Sequence, residues 1–174
     1  MEMKLFEVLE HSGYLKQIYG LLEKGDKEFI PPLSARGSTT QQSLGNATNT
    51  GLSDYFNEMK QQCFVLALEG DTVAGFMSFR KDYSCDYVPA VKNLYASTSV
   101  VDPAFRGQGL MKKFYQAMIR HYPDRPIYTR TWHENTPHLH VLAKLGFTQI
   151  AELKDHRGPG VHTVYFERKV GTGG

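Results

Sequence analysis

Arg106-Gly107-Gln108-Gly109-Leu110 is the stretch of this chain best equipped for chemistry. Two glycines flank Gln108, and from Leu110 the pattern is helical: Leu110, Phe114 and Met118 form one row at i, i+4 spacing, with Met111 and Tyr115 beside it. The first N–H groups of a helix have no partner inside it and sit at the positive end of its dipole. A glycine turn leading into such a helix lets backbone approach a ligand without Cβ atoms in the way. This is an anion site, most naturally for phosphate. Arg106 adds a permanent charge whose donor fork matches phosphate oxygens. A turn whose glycines serve only its own geometry is the plainer alternative, and the short motif alone does not separate the two.

Two phosphate loops are excluded. A P-loop closes with Gly-Lys-Ser/Thr, and no such run occurs. The dinucleotide fingerprint needs a third glycine where Lys112 stands. The pattern Val-x-Pro-x-x-Arg-Gly-x-Gly, from Val101 to Gly109, fits something else. It resembles the acyl-CoA signature of the GNAT superfamily of N-acyltransferases, whose usual form, Arg/Gln-x-x-Gly-x-Gly/Ala, runs here from Arg106 to Met111. Met111 departs from that form and crowds the space beside a pantetheine arm. A second stretch is similar to the family's later motif: Asn135-Thr136-Pro137 opens a helix that closes in Lys144-Leu145-Gly146-Phe147. Thr136 is the expected N-cap, Pro137 the first helical residue and Gly146 the left-handed stop.

The resemblance implies an α/β domain of the α+β type: a mixed, mostly antiparallel twisted sheet flanked by helices, with one parallel strand pair splayed at the CoA site. It covers residues 1–170 as a single domain, with 171–174 as a tail. The implied activity is transfer of an acetyl group from acetyl-CoA to a primary amine of a small molecule or peptide. Ser99, Val100 and Val101 would pair with the pantetheine through their backbone, and the Val101 N–H would polarise the thioester carbonyl. Arg106, Gly107, Gln108, Gly109, Leu110 and Met111 would hold the pyrophosphate. Asn135 would reach the pantetheine or a water, with helix capping as its alternative role.

The catalytic groups are where the chain departs from its relatives. Many place a Tyr seven residues after the Asn, to protonate the departing thiolate; here that position is Leu142. Many place a Glu base on the strand before the loop; none lies between Val91 and Val101. His133 and Glu134 are candidate bases, directly or through a water, against a surface or capping role. Ser97 and Ser99 are candidates to orient a water. His138 and His140 share the later helix, but neither occupies the place of Leu142. These gaps motivate an alternative: a GNAT-like acyl-CoA-binding or sensing protein with weak or absent catalysis. A binding protein for another phosphorylated ligand is a third, more distant reading.

The bulk properties bound the rest. With 174 residues, 41% hydrophobic and 22% charged, the chain suits one domain with a substantial core. A net charge of +2 argues against a nucleic-acid partner or a polybasic membrane surface. No apolar run is long enough to span a membrane, and the acidic first residues lack a signal peptide's apolar block, so the expected location is cytoplasmic. Cys63 and Cys85 read as reduced thiols, and no metal site is expected. A homodimer is left open.

The positioning elements follow from periodicity. A first strand is expected over Lys4 to Leu9, then a helical face from Tyr14 to Leu22 with Gly25 as stop. Ser34 to Gly51 is a long polar stretch that, in the family, lies over the acceptor pocket; Arg36 within it reads as a solvated surface residue. Leu52 to Gln61 is a short helix, with Ser53 as a possible cap. Cys63 to Leu68 and Val73 to Phe79 are strands, and Tyr83, Asp86 and Tyr87 read as strand terminators. The strand Tyr95 to Val101, the helix to His121 and the strand Ile127 to Trp132 make a crossover, which pairs the two strands in parallel. A helix from Pro137 to Leu145 and strands over Phe147 to Leu153 and Val161 to Lys169 complete the order, with Asp155 to Gly160 as a hairpin loop.

Overall fold

In the computed structural model, which describes residues 1–45 and 51–173, the apolar runs become strands of one sheet. The elements are β1 (Glu2–Phe6), α1 (Leu15–Gly25), α2 (Leu52–Met59), β2 (Cys63–Glu69), β3 (Thr72–Lys81), β4 (Leu94–Val101), α3 (Leu110–His121), β5 (Ile127–Trp132), α4 (Thr136–Lys144), β6 (Thr148–Gly158) and β7 (Val161–Arg168). The strand order is β1-β2-β3-β4-β5-β7-β6. Every neighbouring pair is antiparallel except β4 and β5, which the α3 crossover makes parallel. This is the GNAT-type sheet the sequence implies.

β2 and β3 are apolar almost throughout because both their faces are covered. Side chains alternate between faces along a strand. Val65, Ala67, Met77 and Phe79 pack with Phe114, Tyr115 and Met118 of α3 and Leu142 of α4. Phe64, Leu66 and Phe76 pack on the opposite face with Ile18 and Leu22 of α1 and Tyr55 and Met59 of α2. A smaller aromatic cluster continues that second face: Tyr95, Tyr128 and Tyr165, with Tyr83 against Tyr95 and Tyr87 stacked on Tyr165.

The feature that matters for function is where β4 and β5 part. They share three register pairs, Leu94↔Ile127, Tyr95↔Tyr128 and Ala96↔Thr129, and diverge beyond Ala96. β4 stays paired to β3 as far as Gly75↔Val101. Phe79 pairs with Ala96 and Ser78 with Thr98, so Ser97 is an extra residue in β4. Such a bulge shifts the alternation of the strand by one residue. Before it, even-numbered backbone groups face β5: the Leu94 N–H donates to the Pro126 carbonyl (2.9 Å), and the Ala96 carbonyl accepts from Thr129 Oγ1 (3.0 Å). After it they face β3: the Asp102 N–H donates to the Ala74 carbonyl (2.9 Å), and the Val100 carbonyl lies against Gly75. Ser99 and Val101 therefore turn their N–H and C=O away from β3, toward the gap. The side chains record the same slip. Leu94 and Ala96 pack on the α3 side, whereas Val100 packs on the α1 side.

Several expected boundaries move. β1 ends at Phe6 rather than Leu9, although Leu9 is buried. Asn135, not Thr136, occupies the N-cap position of α4, because Thr136 already has helical geometry. Gly51, not Ser53, occupies that position in α2. Residues 46–50 of the long polar stretch lie outside the described residues. The expected hairpin loop at Asp155 to Gly160 is mostly strand: β6 runs to Gly158, with irregular register between Leu153 and Gly158 and Asp155 at φ +54°.

Gly75 is where the closeness of β3 and β4 shows. A Cβ there would stand 2.8 Å from the Val100 carbonyl oxygen and 3.2 Å from the Val101 Cα. Gly75→Ala should therefore push β4 outward. We expect a cost of about 1–3 kcal/mol, read as a fall of roughly 3–10 °C in melting temperature for a chain of this size. An unchanged melting temperature would contradict the close approach.

Candidate active site

The gap between β4 and β5 opens into a cavity of about 550 Å³. Ser99, Val100 and Val101 border it from the strand, and Arg106, Gly107, Gly109, Leu110 and Met111 from the turn and the first residues of α3. Asn135 borders it from the start of α4. Gln108 does not line it, and neither do His133 and Glu134.

The turn is built by its own sequence. Asp102 Oδ1 accepts from the Ala104 N–H (2.9 Å), and Pro103 starts a short 3-10 turn to Phe105. That backbone hydrogen bond, together with Lys24 at 3.1 Å, holds the Asp102 carboxyl below the usual range. Gly107 and Gly109 then take φ +81° and +69°, conformations that disfavour a side chain, and nothing lies within 4 Å of a Cβ on either. Gly109 holds the N-cap position of α3 in left-handed geometry, and no side chain caps the helix. The first N–H groups of α3 are thus left for a ligand. Arg106 is paired with the Glu28 carboxylate at 2.7 and 2.8 Å. Both partners are exposed, so the pair contributes little stability and opens readily for a competing anion.

Asn135 does not cap α4 with its side chain. Its Nδ2 donates to Thr131 Oγ1 at 2.9 Å, tying the helix start to β5. His133 and Glu134 form a separate group beyond the end of β5. His133 Nδ1 accepts from the His162 N–H (3.1 Å), its Nε2 lies 3.2 Å from Glu134 Oε1, and its ring stands 4.4 Å from that of His162. Leu142 is fully buried in the core between α3 and α4 and does not reach the cavity. The residues of α4 that face the cavity are Pro137, His138 and Val141.

Further polar groups line the wall, and of these Ser97 is the one the sequence itself marks for a chemical role, whereas Tyr115 and Arg36 carry no such mark. Tyr115, on the apolar stripe of α3, sets its hydroxyl 2.8 Å from His138 Nε2. Burial pushes the Tyr115 phenol up and His138 down to about 4, so both are neutral at pH 7. Ser97 Oγ, on the bulge, is buried with no partner among the described residues. Arg36 corrects its expected place in solvent: it is 8% exposed and lines the cavity. Its guanidinium donates to the carbonyls of Pro31 (3.0 Å) and Ile30 (3.3 Å), which only the folded chain brings to it.

Residues 34–147 match the family model described as the acetyltransferase (GNAT) family. The chain belongs to that family. GNAT proteins also account for the fold. A ribosomal-protein-alanine N-acetyltransferase from Brucella melitensis superposes with a TM-score of 0.68 at 11% identity, covering 97% of this chain and 99% of that one. The aminoglycoside 6′-N-acetyltransferase from Enterococcus faecium gives 0.67 at 14% identity, with 98% and 97% covered. The Salmonella typhimurium protein yncA, solved with acetyl-CoA, gives 0.65 at 16% identity, with 100% and 97% covered. No curated protein matches the sequence. Among the described residues, no group of three or more His, Cys, Asp or Glu could hold a metal ion, and no helix is long and apolar enough to cross a membrane.

His138 gives the GNAT site a pH signature. Its folded pKa, about 4, lies below its ordinary 6.5. The unfolded chain therefore binds the proton first as pH falls. The stability that neutral His138 protects is complete above about pH 6.5 and is lost down to about pH 4, to a limit of order 3 kcal/mol. The melting temperature of His138→Gln should fall less steeply across that window than that of the unsubstituted protein. Parallel slopes would contradict the buried neutral imidazole.

Proposed function

We propose that this protein transfers the acetyl group of acetyl-CoA to a primary amine. The observation that carries the reading is the divergence of β4 and β5 beyond Ala96, which leaves the backbone of Ser99 and Val101 facing a cavity entered past an uncapped helix start. The chain's own groups fit acetyl-CoA there. The open space at Gly107 and Gly109 and the free amides from Leu110 onward suit a diphosphate. Arg106 joins them by exchanging Glu28 for phosphate. Ser99 and Val101 offer the pantetheine arm the hydrogen bonds of a missing strand neighbour. Acetyl-CoA supplies, when bound, an activated thioester.

The Val101 N–H stabilises negative charge on the thioester carbonyl oxygen as the amine nitrogen attacks. Ser97 Oγ, at the bulge, orients a water that accepts the proton the amine sheds. Leu142, at the position where the family's Tyr is expected, lies in the core, whereas the Tyr115 hydroxyl is a proton-bearing group in the cavity wall. With His138 Nε2 behind it, it can give the departing sulfur a proton and recover one from solvent. Across the reaction the amine loses one proton and the sulfur gains one. His133 and Glu134 stand outside this set. The two free cysteines, Cys63 and Cys85, suit a reducing cytoplasmic location.

Incubation with acetyl-CoA and a panel of primary amines should release free CoA thiol, and acetyl-CoA alone should raise the melting temperature. Gly109→Asp places a carboxylate among the diphosphate donors in a strained conformation. It should weaken acetyl-CoA binding by about tenfold or more. Binding without thiol release from any amine would favour a sensing role, and an unchanged dissociation constant for Gly109→Asp would contradict the placement.

A further inference from the structure

We propose that the acceptor is an amine that also carries an oxyanion, a carboxylate or a phosphate-type group, held by Arg36, Arg130 and Arg157. The inference rests on the acetyltransferase reading and names the class of its second substrate.

Three arginines from distant parts of the chain line the same cavity. Arg36 follows the 3-10 turn Leu33–Ala35, Arg130 lies on β5 past the fork, and Arg157 lies on the irregular end of β6. Arg36 and Arg157 are each 8% exposed. Every hydrogen bond they make among the described residues goes to a neutral acceptor. Arg36 bonds the Pro31 and Ile30 carbonyls and, among the described residues, makes no ion pair. Arg130 donates to the Gln41 carbonyl (2.7 Å) and Tyr165 Oη (3.3 Å). Arg157 donates to Thr163 Oγ1 (2.8 Å) and to the Ile30 carbonyl (2.7 Å), which it shares with Arg36. Among the described residues, no carboxylate is hydrogen-bonded to any of the three.

Two of the nearby acids are paired with other cations, and Asp26, the third, is hydrogen-bonded to Ser34 and acts on Arg36 without touching it. Asp26 accepts from the Ser34 N–H and hydroxyl (2.7 and 2.6 Å), Glu28 pairs with Arg106, and Glu58 pairs with Arg80 and accepts from Thr39. A buried charge with no counter-charge is costly. Burial first, and then the neighbouring arginines, push Arg157 down to about 9; burial likewise pushes Arg36 down to about 10. Both still carry their charge at pH 7. Three such charges in a low-dielectric wall focus a positive field into the cavity, and an anionic ligand relieves it.

This field is not a second grip on the CoA diphosphate. Arg130 stands two residues after Tyr128 on β5, on the same face, and bonds Tyr165, so it lies on the aromatic face of the sheet. Leu110 and Tyr115 pack on the opposite face with α3. The amides at the start of α3 and the arginine cluster thus stand on either side of the gap between β4 and β5. The thioester aimed through that gap would meet an amine whose anionic group is anchored beyond it. β6 makes this possible: Asp155 at φ +54° breaks the alternation, and Arg157 turns inward instead of joining an exposed loop.

The test uses primary amines in matched sets: an amino acid, its neutral amide and the corresponding aminophosphonate. Free thiol release is measured at saturating acetyl-CoA. Binding is measured separately, as the melting-temperature shift of the CoA-saturated protein, in which the diphosphate donors are already filled. We expect the carboxylate or phosphonate member to exceed the amide by about tenfold or more in kcat/KM, and the comparison of those two arms identifies the oxyanion. Arg130→Gln and Arg157→Gln should raise KM for the anionic acceptor far more than they lower kcat, with acetyl-CoA affinity unchanged, and Arg157→Lys should recover part of the loss. A preference for the neutral amide, or variants that lose acetyl-CoA affinity and anion preference together, would overturn the proposal while leaving acetyl transfer standing. Anion-dependent stabilisation that vanishes in the variants, without thiol release from any amine, would support the pocket and remove the enzymatic reading.

Discussion

One surplus residue in one strand sets up the cleft. Sheet hydrogen bonding gives β4 two polar edges, and β3 satisfies one along its whole length. The bulge at Ser97 exchanges the groups that face each edge, just where β5 turns away. A row of N–H and C=O groups is left facing no strand, with Arg106 Nε donating to the Val101 carbonyl (3.4 Å), and unpaired backbone is costly unless water or a ligand meets it. The same bulge carries the buried Ser97 hydroxyl. Packing on both faces of the sheet keeps the opening from closing. The α3 cluster wedges one side and the aromatic cluster holds the other.

The two sides of the opening differ in chemistry. On the α3 side the positive character comes from backbone: left-handed glycines and an uncapped helix start. On the aromatic side it comes from side chains, three guanidinium groups resting on carbonyls and hydroxyls. The first arrangement, free amides at a helix start, suits an anion. The second arises from particular residues of this chain, and the hydrogen bonds that hold it also tie the Ile30 to Gln41 segment onto β5 and β6.

What the sequence disclosed was local. Gly107 and Gly109 announce a turn before α3, and Pro137 and Gly146 mark the ends of α4, because conformation at those positions depends on the residue itself. The parallel pairing of β4 and β5 follows from the crossover. The divergence itself leaves no mark in Tyr95-Ala96-Ser97-Thr98-Ser99, since a bulge is decided by which partner each residue finds. Arg36 looked solvated amid Ser, Thr and Gln, and its burial depends on carbonyls positioned by tertiary structure. Arg157 sat in a segment with the composition of a loop, yet Thr163 on β7 gives it a strand neighbour. Tyr115 read as core, and it is core; only its hydroxyl reaches His138.

Amide hydrogen exchange on β4 tests the central claim most directly. In the free protein the Val100 amide, which faces β3, should be protected, while those of Ser99 and Val101 exchange quickly. Saturating acetyl-CoA should slow Ser99 and Val101 and leave Val100 as it was. Ser99 and Val101 amides already protected in the free protein, or unmoved by acetyl-CoA, would contradict the account.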